Sequence, residues 1–341
     1  MDRWFKERNL FISPTKSSAT IFTTFSNEVS LDLPIYINDE KVPTVKQPKI
    51  LGVTFDNLFT FRHHANAIKS RVQSRTNIMK ALAGTTWGKE KEVLIPTYKA
   101  IGQSLINYCS PIWSPNLCDS KWNELQSAQN SALRSALGCV KMTSADHLHT
   151  ESKVMPVKDH CQMLSRQYLL ATQQDTHPNT IDLNQDPPTR LMKKTITSEH
   201  GNYVNNLIHN DNLDNTQYKI LLKTIHTESV SATITAQENN PTLGRPPPEI
   251  DKTEKDLLRK TRSTLSQLRS GYSSMLNSYL ARIRDDVQDI CPDCNISPHT
   301  TLHLFDCPSK PTNLTVTDLW TKPKEAARFL GLPGQEDDDN G

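Results

Sequence analysis

The sequence predicts a mainly α protein with a small α+β part at its N-terminus. Three observations predict it. Apolar residues recur at helical spacing from residue 61 to about 173 and return from 251 to 290. Extended, alternating segments are confined to the first sixty residues. Three of the seven cysteines crowd into residues 291 to 307, although none occurs among the first hundred. At 341 residues and 35% hydrophobic content, the chain can fill modest cores in two or three units rather than one large core.

The elements follow in order. MDRWFKERNL reads as a short helix anchored by Trp4, Phe5 and Leu10, and Ser13-Pro14 turns the chain. SATIFTTF, LPIYINDEKVP and PKILGVTFDN then read as three strands, the second folding as a hairpin around Asn38 to Lys41. From residue 61, Ala65, Ile68, Val72, Met79 and Leu82 lie on one helix face, which Gly84 ends. A second helix from about Lys89 places Leu94, Tyr98, Ile101 and Leu105 in register, with Pro96 disturbing its first turn. After the turn SPIWSPNL, Asp119 caps a third helix that carries Trp122, Leu125, Ala132, Leu133 and Ala136 and stops at Gly138. A helix over 159–173 carries Cys161, Leu164, Tyr168 and Leu169, and Cys109, Cys118, Cys139 and Cys161 read as small apolar side chains of these elements. Residues 174–250, rich in Pro, Asn, Gln and Thr, read as linker around one short helix near Tyr218 to Ile225. Helix returns from Glu254 to Arg269 and, past Gly271, through Met275, Leu276, Tyr279, Leu280 and Ile283.

Charge narrows the class. The net charge is +2, yet residues 60–100 hold eight basic side chains against Glu90 and Glu92, a local +6. Such an excess is either a phosphate-binding footprint or a solvated helix face. Residues 251–286 hold eight basic and five acidic side chains, or +3. No apolar run reaches the ~18 residues of a membrane span, and the charged N-terminus is unlike a signal peptide. The expectation is an intracellular protein, nuclear or cytoplasmic, with no membrane partner and no sign of a small-molecule substrate.

The cysteine cluster admits three accounts: a disulfide, a metal site, or thiols in a core. Cys291 and Cys294 are separated by two residues, His303 follows after eight more, and Cys307 after a further three. If TTLHLFDC is helical, His303 and Cys307 project from one face. Four soft or borderline ligands in two pairs suit tetrahedral zinc with no open position, so the expected role is structural. His299 competes with His303, but it leaves seven residues before Cys307, a longer step than such knuckles use.

Several segments carry a resemblance. WFKERNLFISPTKSSATIF is similar to a polymerase palm segment that follows the catalytic strand, and PKILGVTFDNLFTFRHH to the primer grip entering the thumb. The helices of 61–138, with INYCSPIWSP, resemble the thumb. LSQLRSGYSSMLNSYLARI, CPDCNISPHTTLHLFDCP and LTVTDLWTKPKEAARFLGL resemble, in order and spacing, a polyprotein tail. Together they resemble the C-terminal part of the reverse transcriptase of non-LTR (LINE-type, jockey-like) retrotransposons.

The resemblance implies a partial palm and primer-grip-like segment over 1–60 and a thumb-like bundle over 61–173. A linker-rich segment over 174–250 and a helical tail over 251–290 follow. A CCHC zinc module over 291–332 and a disordered acidic tail over 333–341 complete the division. It further implies a fragment of an RNA-directed DNA polymerase that holds an RNA or DNA template–primer. Leu51 and Gly52 match the primer-grip turn, and Lys69, Arg71, Arg75 and Lys80 would touch phosphates. Lys16 matches a lysine that is a candidate general acid for pyrophosphate, or is an exposed charge. The family's two magnesium ions are held by palm aspartates, and the chain contains no aromatic-x-Asp-Asp strand. The chain is therefore expected to be inactive alone, with magnesium belonging to the complete polymerase. Two alternatives remain: a stand-alone zinc-containing nucleic-acid-binding module, with Trp113, Tyr272 and Tyr279 stacking on bases or packing in cores, or an inactive relic of the element.

Overall fold

A computed structural model describes residues 4–5, 7–84, 88–174, 176–184, 194–208, 213–235 and 239–333. The described chain is mainly helical, with a small N-terminal part of two two-stranded sheets. The acidic run Glu336 to Asp339 lies outside the described residues, as do Met1 to Arg3 and Lys6 of the expected first helix. The helices are α1 (Arg62–Leu82), α2 (Lys91–Tyr98), α3 (Ser104–Asn107), α4 (Ser110–Trp113), α5 (Asp119–Leu137), α6 (Ala145–Ser152) and α7 (Val157–Ala171). They continue as α8 (Ile196–Leu207), α9 (Asn215–Val230), α10 (Arg259–Arg269), α11 (Asn277–Leu280), α12 (Thr301–Asp306), α13 (Asp318–Thr321) and α14 (Pro323–Phe329). The chain divides into two compact units. One comprises Met1–Ser70, Ile106–Leu125 and Cys161–Ile225; the other comprises Arg71–Leu105, Gln126–His160 and His226–Gly341.

The first unit contains both sheets. β1 (Tyr36–Ile37) pairs antiparallel with β2 (Glu40–Lys41), and β3 (Lys49–Ile50) with β4 (Val53–Thr54). Asn38 and Asp39 both have positive φ, 50° and 63°, as a tight type I′ hairpin turn requires. The segment expected as a single third strand is instead a second hairpin, because Leu51 and Gly52, at φ 45° and 88°, reverse the chain. The expected strand SATIFTTF keeps one isolated parallel bridge, Ala19 to Thr44. Thr23 bonds locally instead: its hydroxyl donates to Glu28 and accepts the Phe25 N–H, which competes with a ladder. Trp4 and Leu10, the expected anchors, are half exposed.

A phenylalanine cluster leads into α1, with Phe22 stacked on Phe59 at 4.8 Å and Phe55 edge-on to Phe61 at 5.4 Å. Asp56 turns the chain there, its carboxylate accepting the N–H groups of Leu58, Thr60 and Phe61 at 3.2, 2.9 and 2.6 Å. Where linker around one short helix near Tyr218 to Ile225 was expected, α9 forms over that helix and beyond it, and α8 forms in addition. Thr195 and Ser198 make a capping box at the start of α8, and Val204 is fully buried.

In the second unit the α1, α2, α5 and α6 stretches close over Met79, Leu94, Tyr98, Leu133, Leu148 and Val154. Pro96 lies inside α2, and the chain leaves that helix through a π turn over Lys99–Gln103. The additional residue in such a turn moves the buried face by one position. Gly102 and Ile106 are therefore buried, where Ile101 and Leu105 were expected. Gly138 ends α5 at φ 72°, and a Cβ there would lie 2.3 Å from Ser263 Oγ, so no larger residue fits. A second core gathers Leu265, Leu268, Leu276, Phe305, Leu319 and Trp320.

Next to that core lies a buried charge network. Arg269, 0% exposed, donates to Glu151 at 2.9 Å and to Glu254, and its Nε donates to the Leu319 carbonyl at 3.0 Å. Lys91 joins the same two glutamates at 3.2 and 2.6 Å. Arg262 pairs with Glu90 at 2.7 Å and Glu92 at 2.5 Å. Burial alone would raise the Glu151 pKa, but Arg269 and Lys91 overcome it and pull the carboxyl down to about 2.

Removing one partner from a buried ion network leaves the others uncompensated, at a cost of about 3–5 kcal/mol. Arg269→Ala is expected to lose about that much in urea unfolding at pH 7, whereas Lys324→Ala, which breaks the exposed pair with Asp256, should lose less than about 1 kcal/mol. Equal losses would deny the network its structural role. His160 and His200 are each held down to about 4, first by burial and then by Lys99 and Arg166 respectively. Both stay neutral in the fold while the unfolded chain takes up protons below about pH 6.5. Stability from these groups is thus present above pH 6.5 and lost as the pH falls toward 4. The melting temperature should drop through that window, and a flat profile would contradict the burial of the two rings.

Candidate metal centre

Cys291, Cys294, His303 and Cys307 converge, their four ligand atoms all within 4.8 Å of one another. The Cys291 and Cys307 sulfurs are 3.9 Å apart, and Cys294 Sγ is 3.2 Å from His303 Nε2. Zinc–sulfur bonds of about 2.3 Å at tetrahedral angles put two sulfurs roughly 3.8 Å apart, so the donors match a four-coordinate ion. A disulfide needs about 2.05 Å, and all three thiols are free.

Local folding sets the geometry. After Cys294, Asn295 takes the left-handed conformation at φ 57° and its N–H donates to the Cys291 carbonyl at 2.9 Å, closing the turn that aims both thiols one way. Thr300 caps α12 by accepting the His303 N–H at 3.3 Å. Cys307 is the residue immediately after that helix, four positions from His303. The N–H groups of Ile296 and Ser297, aided by His303, bring the Cys294 thiol down to about 6, while burial raises Cys307. His299 stands outside the cluster, its Nδ1 accepting the Asn277 N–H at 3.1 Å. With three thiols and an imidazole filling four positions, a bound ion would be structural.

The remaining candidates are spread over the chain. Lys16 is exposed at the end of a 3-10 turn, Pro14–Lys16. Leu51 is 86% exposed at the second hairpin tip, where its carbonyl accepts the Tyr108 hydroxyl at 2.7 Å. A Cβ on Gly52 would meet Tyr108 Cε1 at 3.2 Å. Lys69 is paired with Glu124 at 3.1 Å. Arg71, Arg75 and Lys80 are exposed on α1; Arg71 and Arg75, four residues apart, share a face. Trp113 cannot stack on a base: it is 0% exposed, between His64 and Trp122 at 5.9 and 5.8 Å. Tyr272 and Tyr279 are partly buried against each other at 6.3 Å, with Arg282 over Tyr272. Asp285 and Asp286 are exposed neighbours and belong to no metal-type cluster among the described residues. The Glu151–Arg269 network had no sequence signal, because its members are far apart in the chain and each resembles an ordinary surface charge.

Comparison with known proteins adds a relative. The chain is 27% identical over 192 residues to a probable RNA-directed DNA polymerase from transposon X-element of Drosophila melanogaster. Over that stretch the chain is similar to a transposon polymerase. The likeness covers 56% of the chain, which spans about a fifth of that relative's length, 21%. No family model matches, and no solved structure matches. Among the described residues no helix is long and apolar enough to cross a membrane.

Metal binding in small Cys/His sites is coupled to folding. Cys294→Ser is expected to lose zinc, measured by atomic absorption on the purified chain, and to lower the melting temperature. Zinc content equal to that of the unsubstituted chain would reject Cys294 as a ligand.

Proposed function

We propose that the chain is a template–primer-holding part of a non-LTR retrotransposon reverse transcriptase, with zinc held structurally by Cys291, Cys294, His303 and Cys307. The observation that carries this reading is the relationship to the transposon X-element polymerase. In this reading Arg71 and Arg75 approach successive phosphates from one face of α1. The Leu51–Gly52 tip meets a strand at close range, with glycine leaving room and Tyr108 holding the turn. Lys69 contributes less, since a phosphate must compete with Glu124 for it. Zinc would supply no chemistry; its role is to fix the Cys291 turn against α12. The chain provides grip, and the magnesium-dependent step belongs to aspartates of the polymerase as a whole. Asp285 and Asp286 do not fit that task, being exposed neighbours that join no metal-type cluster among the described residues. The partner is an RNA or DNA template–primer, in the nucleus or cytoplasm.

The test is fluorescence anisotropy of an RNA–DNA template–primer at rising salt. Each phosphate contact contributes about 0.9 to the slope of log affinity against log salt. The Arg71→Ala/Arg75→Ala variant is expected to flatten that slope by about 1.8. An unchanged slope would remove these residues from the interface, and a flat response of the unsubstituted chain would sink the phosphate-contact reading.

A further inference from the structure

The two ligand pairs of the metal centre lie on separate pieces of chain. Cys291 and Cys294 belong to a turn, whereas His303 is carried by α12 and Cys307 follows its end. Their relative placement is set by the connection between them, residues 295–300. Whatever holds that connection decides how much ordering a metal ion must supply on binding.

Ser297 closes the first part of the connection. Its carbonyl accepts the Cys291 N–H at 2.9 Å, and its own N–H bonds the Cys294 thiol. Thr300 closes the last part as the cap of α12, its hydroxyl accepting the His303 N–H at 3.3 Å. Between the two lies His299, 7% exposed and outside the ligand cluster. Its ring Nδ1 accepts the Asn277 N–H at 3.1 Å, and its carbonyl accepts the Ser278 N–H at 3.4 Å. These N–H groups are first-turn donors of α11, which have no partner within their own helix. A neutral ring accepting at Nδ1 carries its proton on Nε2, so the contact also fixes the tautomer. The side chain of Asn277 reaches the other flank of the turn. Its Nδ2 donates to the Ile290 carbonyl at 2.7 Å, one position before Cys291. One residue thus grips the chain at Ile290, where the turn begins, and at His299, where it leaves for α12. Asn277 is itself held in place, because it directly follows Leu276, which is fully buried in the core that contains Phe305 of α12.

We propose that Asn277 and His299 form a clasp that holds the two ligand pairs of the metal centre in place before an ion binds. Neither residue is a ligand. Both act through the chain that carries Cys291 and His303, and are positioning residues. The inference rests on reading the four converging side chains as a zinc site. It gives the histidine that competes with His303 in the sequence a task of its own.

Zinc competition against a chromophoric chelator, run on the metal-free full chain, tests the clasp. Residues that support a ligand set govern about 10–100-fold in metal affinity. Asn277→Ala and His299→Leu are therefore each expected to bind one zinc per chain, weakened by about tenfold or more. His299→Asn keeps an acceptor close to the Nδ1 position and should stay within about threefold of the unsubstituted chain. Cobalt(II) in place of zinc should give the same thiolate and d–d bands in every variant, since no ligand is removed. Unchanged zinc affinity in Asn277→Ala and His299→Leu would overturn the proposal even if the melting temperature fell, because the bonds would then serve only the fold. Altered cobalt bands in His299→Leu would overturn it by making His299 a ligand, and equal losses in His299→Asn and His299→Leu by removing the Nδ1 bond. Should His299→Leu not fold, Asn277→Ala decides alone. No zinc on the unsubstituted chain is a separate outcome: it would reject the zinc reading itself, and this inference with it.

Discussion

A guanidinium that no water reaches must find its partners within the protein, and Arg269 finds them far along the chain. Its carboxylate partners are Glu151, 118 residues away, and Glu254, 15 away, while the Leu319 carbonyl is 50 away. An arginine presents its donors in a rigid planar fork, so satisfying them fixes direction as well as distance. Within the second unit this sets α6, the turn around Glu254, α10 and α13 around one point. Lys91 shares both glutamates and adds the start of α2 to the same constraint. Such a network is weak evidence for net stability but strongly disfavours arrangements that leave one member unpaired.

The candidate metal centre depends on that frame. Helix α12 is tied to α10 by the Thr301 hydroxyl, which donates to the Leu268 carbonyl at 3.0 Å one residue before Arg269. Phe305 of the same helix enters the core that contains Leu268 and Trp320. His303 is therefore carried on a helix whose other face is already anchored, and Cys307 follows directly from its end. Arg259 extends the pattern: its guanidinium donates to the carbonyls of Gly84 at 3.2 Å and Ala136 at 3.3 Å, near the ends of α1 and α5. Cations at helix C-termini meet otherwise unpaired carbonyls and the negative end of the dipole.

The second hairpin shows a different constraint in the first unit. Leu51 occupies the left-handed region, which costs a side-chain-bearing residue roughly 1–2 kcal/mol, and the Tyr108 hydroxyl bond to its carbonyl helps to hold it there. A strained tip persists where surrounding structure over-determines it. Tyr108 is more than fifty residues away in sequence, so the turn is specified by a tertiary contact as well as by Gly52.

The sequence by itself determined the helical class, the course of α1 and α5, and the four cysteine and histidine side chains that converge. Each rests on local spacing: a 3.6-residue period for Ala65, Ile68 and Val72, and a two-residue gap for Cys291 and Cys294. Short-range geometry suffices for these, since neighbours in the chain decide which way a side chain points. Tertiary structure alone decided the rest. It buried Arg262 and Arg269, two of the eight basic side chains of 251–286, and it decided between base stacking and core packing for Trp113 in favour of the core. It broke SATIFTTF at Thr23, whose hydroxyl bonds locally, and inserted a π turn after Pro96 that moved a buried face by one residue. It also folded 196–207 into a helix and lengthened the one expected near Tyr218 to Ile225. Whether a charge is solvated or paired depends on groups a hundred residues away, and no window of sequence carries that distance.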